Sequence, residues 1–175
     1  MIVPTLQTAR LTLREPRLAD FEHWAAFFAT PRSVHEGGPL TRTEAWRHWA
    51  SDVAGWALRG YGPFGVEDRA TGAYLGEVGI YHGDHFPEPE LGWFVLPEAE
   101  GKGYAAEAAQ AVKDWARREK GWSRLVSIID PANHRSIATA ERIGGLIDPT
   151  LPGVDPDDVV VRHDLGPSPA ERPAQ

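Results

Sequence analysis

Apolar residues recur along this chain with two different periods. Leu6, Leu11 and Leu13 alternate with polar neighbours, which predicts a strand over residues 5–14 that stops at Pro16. Leu18, Phe21, Trp24 or Ala25, and Phe28 then fall at helical spacing and predict a helix over 18–29, stopped by Thr30-Pro31. Gly37-Gly38-Pro39 makes 31–40 a loop. Thr41 and Glu44 read as a capping box that opens a second helix, running to about Arg59. Trp46, Trp49, Val53 and Trp56 form its inner stripe, and core packing is the first reading of such an aromatic stripe. Strands follow at 64–67 and 74–81, joined by the Thr71-Gly72 turn, and a third at 91–96 after the loop 82–89. Short connections make these three an antiparallel meander.

The stretch 90–118 reads as a strand, a glycine turn and a helix. Pro97 ends the strand, because proline gives no donor to a ladder. Glu100-Gly101-Lys102-Gly103-Tyr104-Ala105 follows, and its two glycines permit positive φ and a close approach of backbone to ligand. Tyr104, Ala108, Ala111, Val112 and Trp115 then share one helical face. Glu107 in the first turn and Arg117, Arg118 and Lys120 at the end suit the helix dipole. A glycine turn that opens a helix presents free N–H groups and the positive dipole end, which is an anion site, and phosphate is the natural anion. The apolar run 124–129 is a strand parallel to 91–96, since a βαβ unit joins them. Asn133 caps a further helix that ends at Gly144-Gly145. Residues 146–147 and 159–165 form a last hairpin, the domain spans 1–166, and 167–175 is expected to be a disordered tail.

Composition narrows the ligand and the partners. The 175 residues suffice for one domain with its own core. A net charge of −7 opposes a nucleic-acid partner and mildly favours a cationic one. No signal or spanning segment is read, which gives an expectation of a cytoplasmic protein without membrane partner. Cysteine is absent, so thiolate nucleophiles and cysteine-ligated metals are excluded. His82 and His85 sit together at the tip of the 82–89 loop, but no third ligand is evident and no metal is expected. A surface turn is their plain reading, and a place beside the substrate comes second.

Three phosphate motifs compete for the glycine turn. Gly101, Gly103 and Ala106, with Asp130 further on, fit the loose dinucleotide fingerprint. Against it, residues 97–100 separate strand from glycine, and too little chain follows for a large parallel sheet. A Walker loop needs Lys-Ser/Thr after its second glycine, and Gly103-Tyr104-Ala105 has neither. The run Val95-x-Pro97-x-x-Glu100-Gly101-x-Gly103-Tyr104-Ala105 resembles the acetyl-CoA signature of the GNAT N-acetyltransferases. Thr8-x-Arg10-Leu11-x-Leu13-Arg14, the Asp68 to Gly79 strand pair and Asn133-x-x-Ser136 resemble the RimJ/RimL-like branch of that superfamily.

The resemblance implies an α/β (α+β) fold. Its mixed central sheet has six to seven strands, antiparallel at its N-terminal side, with a parallel pair splayed at the cofactor, flanked by four helices. It implies direct transfer of an acetyl group from acetyl-CoA to a primary amine, which is a protein N-terminus or a small molecule. Backbone groups of Phe94, Val95 and Leu96 are then expected along the pantetheine and the thioester, and those of Glu100, Gly101, Lys102, Gly103, Tyr104 and Ala105 at the pyrophosphate. Glu100 replaces the usual Gln, Arg or Trp, and a carboxylate there is unfavourable unless it points away. Glu90 is the expected general base, with Glu77 in reserve. Asn133 is expected to contact the pantetheine arm or an ordered water. Ala140 stands where many members carry a tyrosine that protonates the thiolate, so Ser136 is the candidate for that role. Capping alone would also account for Asn133 and Ser136. Arg10 and Arg14 are expected to be paired or solvated rather than functional. The loop 31–40 and the first two helices are expected to wall the acceptor site. Two other readings remain: a non-catalytic acyl-CoA-binding or sensing module, and a dinucleotide-type enzyme. Monomer and homodimer are both open, the homodimer being the common default.

Overall fold

The computed structural model describes residues 3–84 and 86–166. His85 and the 167–175 tail lie outside them. The predicted first strand is a hairpin of two, β1 (Leu6–Gln7) and β2 (Leu11–Arg14). Thr8 breaks it, since its hydroxyl accepts the Leu11 N–H at 2.9 Å and donates to Glu107 at 2.5 Å. Helix α1 (Asp20–Phe28) and helix α2 (Arg42–Leu58) follow, the latter with the Thr41–Glu44 capping box formed. Between them lies a 3₁₀ segment, Pro31–Glu36. Strands β3 (Pro63–Asp68), β4 (Tyr74–Tyr81) and β5 (Glu90–Val95) make the expected antiparallel meander. Helix α3 (Tyr104–Trp115), strand β6 (Arg124–Ile129), helix α4 (His134–Arg142), and strands β7 (Leu146–Ile147) and β8 (Val159–Asp164) complete the chain.

Among the described residues, eight strands form one mixed sheet in the order β1-β2-β3-β4-β5-β6-β8-β7. That exceeds the expected six to seven because β1 and β2 are separate strands. Alternation along β4 and β5 divides the core. Val78, Ile80 and Leu91 pack toward Ala108, Val112 and Trp115 of α3. On the other face, Phe94 and the following Leu96 pack with Phe21, Trp24 and Phe28 of α1 and Trp49 of α2. Trp56 and Trp49 are buried as the stripe predicts, but Trp46 is 45% exposed and meets Phe21 edge-on at 5.1 Å. Arg14 is held by Asp20 at 2.8 Å and Glu67 at 2.7 Å, so it braces β2 against α1 and β3. No described helix is long and apolar enough to cross a membrane.

Candidate functional site

The site begins where β5 and β6 separate. These two strands run parallel and pair only at Glu90 and Val126. Side chains carry the next two links. Ser127 Oγ donates to Leu91 O at 2.6 Å, and the Ile128 N–H donates to Glu90 Oε1 at 3.2 Å. Beyond them the strands part. The Leu96 N–H is already used by Leu75 O at 2.8 Å. Alternation therefore turns the Trp93 and Val95 amides toward the gap. Behind it, the fully buried His163 lies 3.0 Å from Ser127 Oγ. Burial lowers its pKa to about 4, so the ring is neutral. The Ser127 proton goes to Leu91 O, so His163 Nε2–H donates to the hydroxyl and supplies no base there.

On one side of the gap is a groove of about 490 Å³ over the start of α3. Gly101 and Gly103 have φ of 72° and 76°, a left-handed conformation suited to glycine. No side chain caps α3, and the Glu107 N–H is bonded to Gly103 O at 3.1 Å. Amides exposed at a helix start favour an anion. Glu100 is paired with Arg32 at 2.8 Å and with Arg135. The carboxylate that looked adverse thus holds two arginines at the groove wall. Phe94, Val95, Glu100, Gly101, Gly103, Tyr104, Ala105 and Asn133 line the groove. Leu96 and Lys102 do not: Leu96 is packed under α1, and the Lys102 ammonium bonds Glu98 O at 2.8 Å. Arg10 pairs with Glu107 at 2.7 Å and ties the β1–β2 turn to the start of α3. The glycine cradle, uncapped amides, arginines and turned-in strand amides fit a long phosphorylated acyl carrier.

On the other side lies a cavity of about 440 Å³ beneath α1 and α2. Glu90 and Ser136 line it, as do Glu77 and Asp52. Its tryptophans are Trp24 and Trp93, not those of the α2 stripe. Burial raises the Glu90 carboxyl to about 7, and the Ile128 N–H only partly opposes this. Burial raises Glu77 to about 8, with the Asp52 charge adding to the rise. Asp52 itself is pushed to about 7 by burial. Glu36, Trp93, Phe94, Asn133 and Ser136 belong to both spaces, so groove and cavity meet there.

The 3₁₀ segment bridges this junction. His35 pairs with Asp130 at 2.7 Å, and Asn133 Nδ2 donates to Glu36 at 3.4 Å. Asn133 Oδ1 accepts the Ser136 N–H at 3.2 Å, so Asn133 caps α4 and faces the junction at once. Ala140 is fully buried against Ile129 and Val161 and offers no proton. His82 sits 3.2 Å from the Tyr61 hydroxyl in the surface turn. Arg32, Arg135, Trp93 and Asp52 were not singled out in the sequence. Asp52 had a signal: it sits three residues after Trp49 and four before Trp56, inside an apolar helical stripe.

A splayed parallel pair thus has a glycine-lined groove on one side and an acidic cavity on the other. Residues 10–145 match the family model described as the acetyltransferase (GNAT) domain. The chain belongs to the GNAT acetyltransferase family and is an acyltransferase. It is 45% identical to an acetyltransferase of Agrobacterium tumefaciens strain C58, with a TM-score of 0.90 over 93% of this chain and 95% of that one. It is 34% identical to YkkB of Bacillus subtilis over 105 residues, 56% of this chain and 59% of that relative. The match thus spans about three fifths of the curated relative's length. The fold is also that of spermidine N-acetyltransferase from Vibrio cholerae, solved with CoA and spermine. There the identity is 15% and the TM-score 0.69, over 89% of this chain and 94% of that one.

Proposed function

We propose that this enzyme moves an acetyl group from acetyl-CoA directly to a primary amine in a ternary complex. The observation that carries the reading is the junction: a phosphate-fitting groove and an acidic cavity share the wall of Trp93, Phe94, Asn133 and Ser136. Acetyl-CoA brings an activated acyl thioester, and a structural relative solved with CoA supports it as the co-substrate. Glu90 takes the proton that the acceptor ammonium loses. Its pKa near 7 suits a base working at neutral pH. The Trp93 and Val95 amides face the oxygen on which charge develops. Ser136, at the junction, returns a proton to the leaving sulfur. One C–N bond forms and one C–S bond breaks; the second proton lost by nitrogen replaces the one that Ser136 gives to sulfur, and the proton on Glu90 passes to solvent. The Asn133-x-x-Ser136 and Asp68–Gly79 motifs support a place in the RimJ/RimL-like branch, and a cytoplasmic location belongs to the same reading.

The test is thiol release from acetyl-CoA with a panel of amines, beside thermal unfolding with acetyl-CoA. Wild-type kcat/KM should rise with pH through about 7 and then level, because only the ionised Glu90 accepts a proton. Glu90→Gln should lose about 100-fold or more in kcat while acetyl-CoA still stabilises the fold. A pH profile unchanged by this substitution removes Glu90 from the mechanism. The buried Ala140 favours one second reading, an acyl-CoA-binding module. Stabilisation by acetyl-CoA without turnover of any amine would establish that instead.

A further inference from the structure

A parallel ladder sets its hydrogen bonds at even two-residue steps. The Val126 N–H donates to Pro89 O at 3.4 Å, so the next bond of this ladder is due from the Ile128 N–H to Leu91 O. Side chains take both of its ends instead. The Ser127 hydroxyl donates to Leu91 O at 2.6 Å, and the Ile128 N–H donates to Glu90 Oε1 at 3.2 Å. A hydroxyl and a carboxylate thus stand in the place of one backbone bond, and here β5 and β6 part. A further ladder bond would have drawn the Trp93 amide to Ile128 O. That amide faces the gap instead.

Ser127 is buried and does not act alone. A carbonyl carries no proton, so the hydroxyl proton goes to Leu91 O, and the His163 ring, 3.0 Å away, donates through Nε2–H. Nδ1 is then a bare acceptor, buried and without a partner among the described residues. Packing alone does not call for a histidine there. Val161 and Leu165, on the same face of β8, are aliphatic, and an aliphatic residue at 163 would leave no nitrogen unpaired. Gly145 makes room for the ring, since a Cβ there would meet His163 Cε1 at 2.7 Å. Burial, and then the Lys113 charge, keep the ring neutral. A neutral donor fixed in a tight space, aimed at one hydroxyl, decides which way that hydroxyl points.

We propose that Ser127, aimed by His163, is the positioning residue of the splay: it occupies Leu91 O, which leaves the Ile128 N–H to Glu90 and the Trp93 amide to the gap. The use made of Glu90 and Trp93 rests on the acetyl-transfer reading, and the test has a readout that needs no turnover. Without the hydroxyl, Leu91 O takes the Ile128 N–H, the ladder gains a link, and Glu90 loses a donor that favours its ionised form. Asp52 and His48 on α2, Glu77 and Tyr81 on β4, and Asp155 and Asp158 ahead of β8 line the same cavity, and so do Glu36 and the His35–Asp130 pair. Substitutions at 127 and 163 leave all of these in place.

The Glu90 carboxyl is titrated by carbon-13 NMR, its signal assigned by loss in Glu90→Gln. The comparison covers wild type, Ser127→Ala, Ser127→Thr, His163→Leu and His163→Gln, beside kcat/KM against pH and acetyl-CoA binding by calorimetry. Ser127→Ala should move the Glu90 midpoint up by about one pH unit and lower kcat/KM near pH 6 about tenfold, while acetyl-CoA still binds. Ser127→Thr keeps the hydroxyl and should keep the wild-type midpoint. His163→Leu should shift it in the same direction as Ser127→Ala, and His163→Gln, which retains an amide donor, should shift it less. If Ser127→Ala does not fold, the His163 pair decides by the same midpoint. A shifted midpoint in a protein that acetylates no amine upholds the positioning role and sinks the transfer reading. An unshifted midpoint in folded Ser127→Ala, or a loss of thermal stability in His163→Leu with Glu90 unchanged, overturns it.

Discussion

Glu77 keeps a proton that the unfolded chain would release at neutral pH. Its carboxyl titrates near 8 in the folded protein against 4.5 as an ordinary side chain, with burial as the main cause. Between those values the native state binds more protons than the unfolded one, so stability falls as pH rises. Asp52 and Glu90 act in the same direction. Glu77→Gln retains the acceptor for the Tyr81 hydroxyl and removes the titration. Its melting midpoint should exceed wild type by several degrees at pH 8 and approach it below about 4.5, as calorimetry across that range would test. Glu100 works through charge rather than protonation. It holds Arg32 and Arg135, both in the groove wall. Glu100→Gln should release both guanidinium groups toward phosphate and tighten acetyl-CoA binding roughly threefold or more, measured by titration calorimetry. Residue by residue, the sequence exposes groups that sit in motifs, such as Glu90, Gly101 and Asn133. It hides those defined only by distant partners: Arg32 and Arg135 lie 68 and 35 residues from Glu100.

The glycine turn before α3 shows how much one element depends on backbone alone. Gly103 has φ of 76°, and a Cβ there would meet nothing closer than Arg10 Nη2 at 3.6 Å. Space is therefore not the obstacle; conformation is. Gly103→Ala should cost about 1–2 kcal/mol of stability, read by urea unfolding, and weaken acetyl-CoA binding as the amides turn away. Elements with a clear period or cap were legible in the chain: α1, α2, the meander, α3 and its parallel strand β6. The β1–β2 break was not, because its alternation runs through the turn and Thr8 finds its partner, Glu107, only in α3. The 3₁₀ segment Pro31–Glu36 was equally hidden within a Gly- and Pro-rich loop. Its course is fixed by long-range pairs, His35 with Asp130 and Glu36 with Asn133.

For the molecule as a whole, the antiparallel side of the sheet followed from local turns, and the splay from a family likeness. The insertion of β8 between β6 and β7 had no local cue, since it depends on pairing Val159–Asp164 with β6. The two spaces on either side of the splay share five residues. Their occupants therefore act on one another, and the factor by which one tightens the other is the same in both directions. An acyl group that lengthens takes volume from the amine. With propionyl- and butyryl-CoA, the KM for a given amine should climb with each methylene, while shorter amines lose less; a grid of acyl donors and amines in steady state checks this. The enzyme then gauges a sum of two lengths rather than either alone, and a long donor with a short acceptor fits as well as the reverse.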